Sequence, residues 1–289
     1  MNRGFELAAS LYIFGEYNSG WSLMQEVFKK SQDLNGKFSM ADIPIQIYWA
    51  KWAIQIDELD KPMSWIREWK EHQYARSDLS SAINEVKISL IEAELLLALG
   101  ELAQADDVLS SVWASENQVK LSSDDRLALE VLKLEKLLLE RDSKAILSSL
   151  TEPSGLSPSG DGPRAEWGPY VYWYRGLALT LDGLYETAET ELRVAESEAA
   201  NVFGPLHPRT STTSFNRLVI SLVNVPRDDG DFKRKLSTLR RITKRLKASL
   251  GERHPHVERA EQIMGNLERG ALESMLGDKQ KIILSMILY

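Results

Sequence analysis

Three of the four histidines stand near the carboxyl end, and two of them carry the same neighbours. His207 follows Gly204-Pro205-Leu206 and precedes Pro208, while His254 follows Gly251-Glu252-Arg253 and precedes Pro255. Imidazole is the usual side chain for proton transfer near neutral pH and a common metal ligand. Either role needs a second group, a carboxylate to orient the ring or further ligands at matching spacing. Only His256 is near, two residues past His254, and residues two apart do not share a helix face. The Gly-x-x-His-Pro pattern therefore reads as a link between helices. Glycine closes one helix in the left-handed conformation, His-Pro draws the chain out, and proline opens the next helix at its first position.

Other chemistry is sparse. The chain has 289 residues and no cysteine, which removes thiolate metal sites, a cysteine nucleophile and a disulfide framework. Gly160-Asp161-Gly162-Pro163-Arg164-Ala165 fits a dinucleotide fingerprint in form, but it follows no strand and carries a proline in the turn. There is no Gly-Lys-Ser/Thr phosphate loop, His-Glu-x-x-His or Gly-x-Ser-x-Gly, and the carboxylates are spread along helix surfaces without a singled-out pair. The expectation is a protein that is not an enzyme and uses no cofactor or metal.

Charge is more telling. The tract 233–247 holds eight basic residues and no acid, so the rest of the chain carries −15 against a total of −7. Leu236, Leu239, Ile242, Leu246 and Leu250 fall on one helical face, leaving Lys233, Arg234, Arg240, Arg241, Lys244 and Arg245 on the remaining circumference. Such a stripe is either a solvated outer face or a dock for an acidic peptide. The overall acidity makes nucleic acid an unfavourable partner. Five of the eight tryptophans lie in the first 70 residues, and the pairs Trp49/Trp52 and Trp65/Trp69 are spaced to share a face, which reads as packing between helices.

The elements that must position these groups are all helical. No run of alternating apolar and polar residues bounded by turns suggests a strand, whereas apolar residues three and four apart recur throughout. The spacing predicts helices over 7–14, 21–28, 43–56, 63–69, 83–99, 103–112, 127–139, 145–150, 170–181, 185–202, 212–223 and 232–250, with a last one from Pro255. Gly15, Gly100 and Gly183 punctuate hairpins, and Pro62 sits where a first helical turn tolerates it. The stretch 151–169, rich in Pro, Gly and Ser, reads as an irregular connection between an amino-terminal region 1–150 and a carboxyl-terminal region 170–289. The final residues from Ile282 to Tyr289 are apolar enough to suggest docking on the last hairpin or a contact between subunits.

An internal repeat joins these pieces. Tyr185 and Phe232 each stand 23 positions before the proline of a Gly-x-x-His-Pro link. The run Tyr185-x-x-Ala188-Glu189 through Phe203-Gly204-x-x-His207-Pro208 resembles the kinesin-light-chain variety of tetratricopeptide repeat, and Gly176, Leu192 and Ala195, with Ala93, Gly100, Ala105 and Leu109 earlier, fit its small and apolar positions. The resemblance implies a right-handed superhelical solenoid of antiparallel helix pairs whose groove holds a peptide or a protein segment. Each hairpin is too short to bury its own apolar face, so stacking into a shared core is also what the physics expects. Tyr172 then falls at the helix-packing aromatic position. Tyr170, Tyr174 and Arg175 are candidates for the groove, and Asn216 and Arg217 lie near the family's groove-lining asparagines.

The expected function is that of an adaptor or scaffold binding a protein or peptide. The second expectation is a regulatory domain in which a peptide or small effector changes partner exposure. Apolar runs such as 95–99 fall far short of the ~20 residues a membrane span needs, and no secretion signal opens the chain, so a cytoplasmic location is expected.

Overall fold

In a computed structural model of the chain, the described residues are 2–35, 43–73, 79–115, 121–151, 167–222, 225 and 229–269. They form thirteen α-helices and no strand. The chain divides into two compact units, Met1–Leu139 and Glu140–Tyr289. The fingerprint-like stretch 160–165, most of the 151–169 connection and the apolar run 282–289 lie outside the described residues.

The amino-terminal unit holds α1 (Asn2–Ile13), α2 (Tyr17–Asn35), α3 (Ile43–Gln55), α4 (Asp60–Gln73), α5 (Leu79–Ala98), α6 (Leu102–Ser115) and α7 (Ser123–Leu139). Each packs on the next in sequence, and α5 also reaches back to α3 and forward to α7. Every helix predicted from spacing is present and most are longer, because polar first and last turns carry no apolar signal. Ser122 shows how such a turn is fixed. Its hydroxyl accepts the Asp125 N–H at 3.1 Å and donates to the Asp125 carboxylate at 2.6 Å, a local box that starts α7.

Tryptophan fills this unit. Trp49, Trp52, Trp65 and Trp69 are all buried. Trp49 stacks on Phe28 with ring centroids 4.1 Å apart and meets Trp65 edge-on. Trp52 packs against Tyr12 and Tyr17, and its indole N–H donates to the Tyr17 carbonyl at 2.8 Å. That ring lies so close to α2 that a Cβ on Gly20 would stand 2.3 Å from its Cζ2. The Asn18-Ser19-Gly20 segment is helical although its residue types favour turns, and its glycine serves close approach.

The carboxyl-terminal unit holds α8 (Ser143–Thr151), α9 (Trp167–Leu181), α10 (Tyr185–Phe203), α11 (Pro208–Ser221), α12 (Gly230–Leu250) and α13 (Pro255–Arg269), again packed in sequence order. α8 groups with this unit rather than with the amino-terminal hairpins. It packs on α9, where the Ser143 hydroxyl donates to Asp182 at 2.6 Å, and the Asp142 carboxylate caps its first turn by accepting the Ala145 N–H at 2.9 Å.

Both Gly-x-x-His-Pro links have one geometry. Gly204 (φ 95°, ψ 155°) and Gly251 (φ 98°, ψ 158°) close α10 and α12. This corrects the expectation of a left-handed cap, since φ is positive but ψ is extended. That region is essentially closed to residues with a Cβ, so the demand for glycine is stricter than at an ordinary helix end.

Gly20→Ala tests the close approach. Trp52 is fully buried and hydrogen bonded, so it has no room to yield, and the substitution is expected to destabilise the amino-terminal unit by about 1–3 kcal/mol. The measurement is urea unfolding followed by tryptophan fluorescence; an unchanged midpoint would contradict the packing described.

Candidate functional site

α12 is built so that only one face can be used for packing. Asp229 caps it by accepting the Asp231 N–H at 2.8 Å, and Asp231 adds a carboxylate to the first turn, where the helix dipole favours it. Phe232, Leu239, Ile242, Leu246 and Leu250 are buried, with Leu236 half-buried, on the side against α11 and α13. The basic side chains therefore face outward, but they are not equivalent.

Four of the eight are engaged by named carboxylates. Arg234 and Lys235 both pair with Asp231, at 2.6 and 3.0 Å, and together hold its carboxyl below the usual carboxylate range. Lys235 also donates to the Ser221 carbonyl at 3.2 Å, which ties α12 to the end of α11. Arg240 reaches Glu268 of α13 at 2.9 Å, and Lys247 lies between Glu252 and Glu261, whose charges raise its pKa. Lys233, Arg241, Lys244 and Arg245 are exposed and form no ion pair with any described residue. At 100° per residue these four span an arc of about 120° and a length of ~18 Å. The result is a patch of positive charge on α12 that no described residue compensates.

The other predicted site residues lie apart from this patch. Tyr174 is 2% exposed and edge-on to Trp173, so it is core and presents nothing to a groove. Arg175 is part-buried, 3.6 Å from Glu191 and beside the Tyr172 ring. Arg217 is held by two carboxylates of α10, Glu196 at 2.5 Å and Glu189 at 3.7 Å, and Ser214 donates to Glu196 as well. Asn216 is fully buried. These groups knit α9, α10 and α11 together instead of lining an open surface. Tyr174 and Asn216, candidates for the groove by sequence, are buried within the packed helices.

Tyr170 belongs to a cluster not foreseen in full. Its ring meets Phe203 edge-on at 6.3 Å, Phe203 stacks on His207 at 5.2 Å, and the Arg209 guanidinium sits 5.1 Å from the Tyr170 ring centre. The sequence signal was the His-Pro link itself, which brings Phe203 and Arg209 to either side of His207. Burial pushes the His207 pKa down to about 4, and Nδ1 accepts the Arg209 N–H at 3.1 Å, which requires that nitrogen to be unprotonated. His254 repeats the arrangement, accepting the His256 N–H at 3.1 Å. His256 is pushed lower still, by burial first and then by His254 and Arg259. Two helix caps are thus made by neutral imidazoles. Among the described residues no three His, Asp or Glu side chains are grouped to hold a metal ion, and no helix is long and apolar enough to cross a membrane.

No protein-family model matches the chain, and no curated protein matches it at a significant level. The class of protein defined by fold and site is therefore an all-helical one of consecutively packed helices that carries an outward basic patch.

The cap has a pH signature. The unfolded chain takes up a proton on His207 as pH falls below about 6.5, whereas the folded chain resists until about 4. The stability contributed is complete above about pH 6.5 and is lost between there and about pH 4, by up to roughly 3 kcal/mol at 1.36 kcal/mol per unit. His207→Asn keeps an acceptor for the Arg209 N–H but has no proton to gain. Urea midpoints from pH 7.5 to 4.5 are expected to fall less steeply in that variant than in the native chain, and parallel curves would refute the assignment.

Proposed function

We propose that the protein is a non-enzymatic interaction module, a tetratricopeptide-like right-handed superhelical solenoid that docks an acidic protein or peptide segment along the outer face of α12. The single observation that carries this reading is the set of four exposed cations, Lys233, Arg241, Lys244 and Arg245, which pair with no described residue. Leaving four like charges within ~18 Å costs mutual repulsion that four neighbouring acids would relieve. The chain supplies such acids to the other four cations of the same helix. The remaining side chains sum to −15, so carboxylates are not scarce, and no described carboxylate pairs with these four cations, which supports a face suited to an external anion.

The scaffold reading draws on the repeat. Two links with nearly the same glycine φ and ψ recur 47 residues apart, and a joint repeated at a fixed spacing is what a solenoid would use. Nucleic acid fits less well than an acidic polypeptide, because a duplex extending past the patch would meet the acidic remainder of the surface. Rows of carboxylates on a helix or an extended segment match the patch length without that repulsion.

The test uses a fluorescein-labelled ten-residue oligoglutamate peptide, with an oligoglutamine peptide as control, and fluorescence anisotropy between 20 and 300 mM salt. The native chain should bind the acidic peptide alone, with affinity falling steeply as salt rises. Changing Lys233, Arg241, Lys244 and Arg245 to Gln together should weaken binding about tenfold or more at low salt, flatten the salt dependence and leave the melting temperature nearly unchanged. Equal binding by the two proteins would return the patch to an ordinary solvated face.

A further inference from the structure

The exposed side of α12 is laid out as a seam. Arg234, Ser237, Arg241, Lys244 and Ala248 are all exposed and stand alternately three and four residues apart. At 100° and 1.5 Å per residue they fall within an arc of about 80° and a length of ~21 Å, nearly opposite the buried row Leu239, Ile242 and Leu246. Spacing that alternates three and four keeps one line of residues facing a partner helix, as in a coiled coil. Two of the five are small. Ser237 and Ala248 leave the line low at two levels, so a second helix axis can approach to the ordinary distance of about 8–10 Å while the longer side chains lie out to the sides. Lys233 flanks the seam about 60° to one side of its centre and Arg245 about 60° to the other.

The protein contains its own example of what a basic row on α12 holds. Arg240 pairs with Glu268 at 2.9 Å and Lys247 with Glu261 at 3.5 Å. The two cations are seven residues apart on α12 and the two carboxylates seven apart on α13, in the reverse order. α13 is therefore an antiparallel helix that meets one edge of α12 with carboxylates two turns apart. No described carboxylate does the same for Lys233, Arg241, Lys244 and Arg245.

We propose that the outer seam of α12 docks an acidic α-helix of a partner protein, with carboxylates three, four and seven residues apart along one face. This inference rests on the reading of the patch as an acidic dock and adds the conformation of the ligand. A helix keeps its turn of about 5.4 Å in step with the seam along its whole length. Side chains on one side of an extended chain recur about every 6.8 Å and fall out of step by more than ~1 Å at each turn.

The test compares two fluorescein-labelled peptides of the same Glu and Ala composition, each of about 22 residues so that both are helical, by anisotropy at about 50 mM salt. One carries its glutamates three and four apart on a single face, and the other spreads the same glutamates round the helix. Circular dichroism checks that their helicity is alike. The native chain should bind the one-faced peptide about tenfold or more tightly, and changing Lys233, Arg241, Lys244 and Arg245 to Gln together should abolish that preference. Equal affinity for the two peptides overturns the helical dock and leaves the acidic dock standing, because charge alone would then account for binding. Binding of oligoglutamate but of neither helical peptide also overturns it, and loss of all three removes the underlying reading as well.

Discussion

Proline at the first position of α11 brings no N–H, so the Arg209 N–H is among the first donors that the helix must satisfy. The His207 ring nitrogen satisfies it, and only while unprotonated. Burial and the stacked Phe203 keep the ring neutral, and Phe203 is itself the last residue of α10. The end of one helix thereby guards the start of the next. Gly204 completes the link with a backbone conformation that a Cβ would strain, and the glycine cap and the ring-nitrogen acceptor recur where α12 joins α13. Every later feature of this unit depends on these two joints. They fix how α11 leaves α10 and how α13 leaves α12, and the apolar row of α12 packed between α11 and α13 leaves its cations outside.

Much of this was legible from residue types. A period of 3.6 in apolar positions located the helices, and the paired links exposed the repeat. What periodicity could not reveal was which sides of a helix are covered. Tyr170, Tyr172 and Tyr174 look alike in sequence, and only the positions of α8 and α10 make Tyr174 core while leaving Tyr170 beside Arg209. Asn216 misleads for the same reason, as a polar residue carries no sign that it is buried. The grouping of α8 was hidden because its contacts, such as Ser143 with Asp182, join residues 39 apart. The glycine links were placed correctly but assigned the wrong ψ, because both conformations demand the same residue.

The basic helix shows how one tract can hold two kinds of charge. Lys235 is part-buried and its ammonium binds both Asp231 and the Ser221 carbonyl, so it closes the α11–α12 corner and belongs to the scaffold. Arg240 does similar work against α13 through Glu268, though more exposed and so worth less. Counting eight cations in the sequence overstates the surface charge open to a partner. Sorting them by carboxylate leaves Lys233, Arg241, Lys244 and Arg245, a smaller set in a tighter arrangement.

The polarity of α11 follows from a similar sorting. Buried hydroxyls are inexpensive on a helix because they can turn back to its own carbonyls. Thr213 donates to Arg209, Ser221 to Leu218, and Thr210 to the Gly204 carbonyl of the preceding link, at 2.8 to 2.9 Å. These bonds let a helix rich in Ser and Thr be enclosed with little loss. An asparagine amide has both a donor and an acceptor to satisfy, and a neighbouring helix carbonyl can answer only one of them. In α11 the Asn216 amide has neither partner and the Ser211 hydroxyl has none, so these two side chains bear a cost that Thr210, Thr213 and Ser221 avoid.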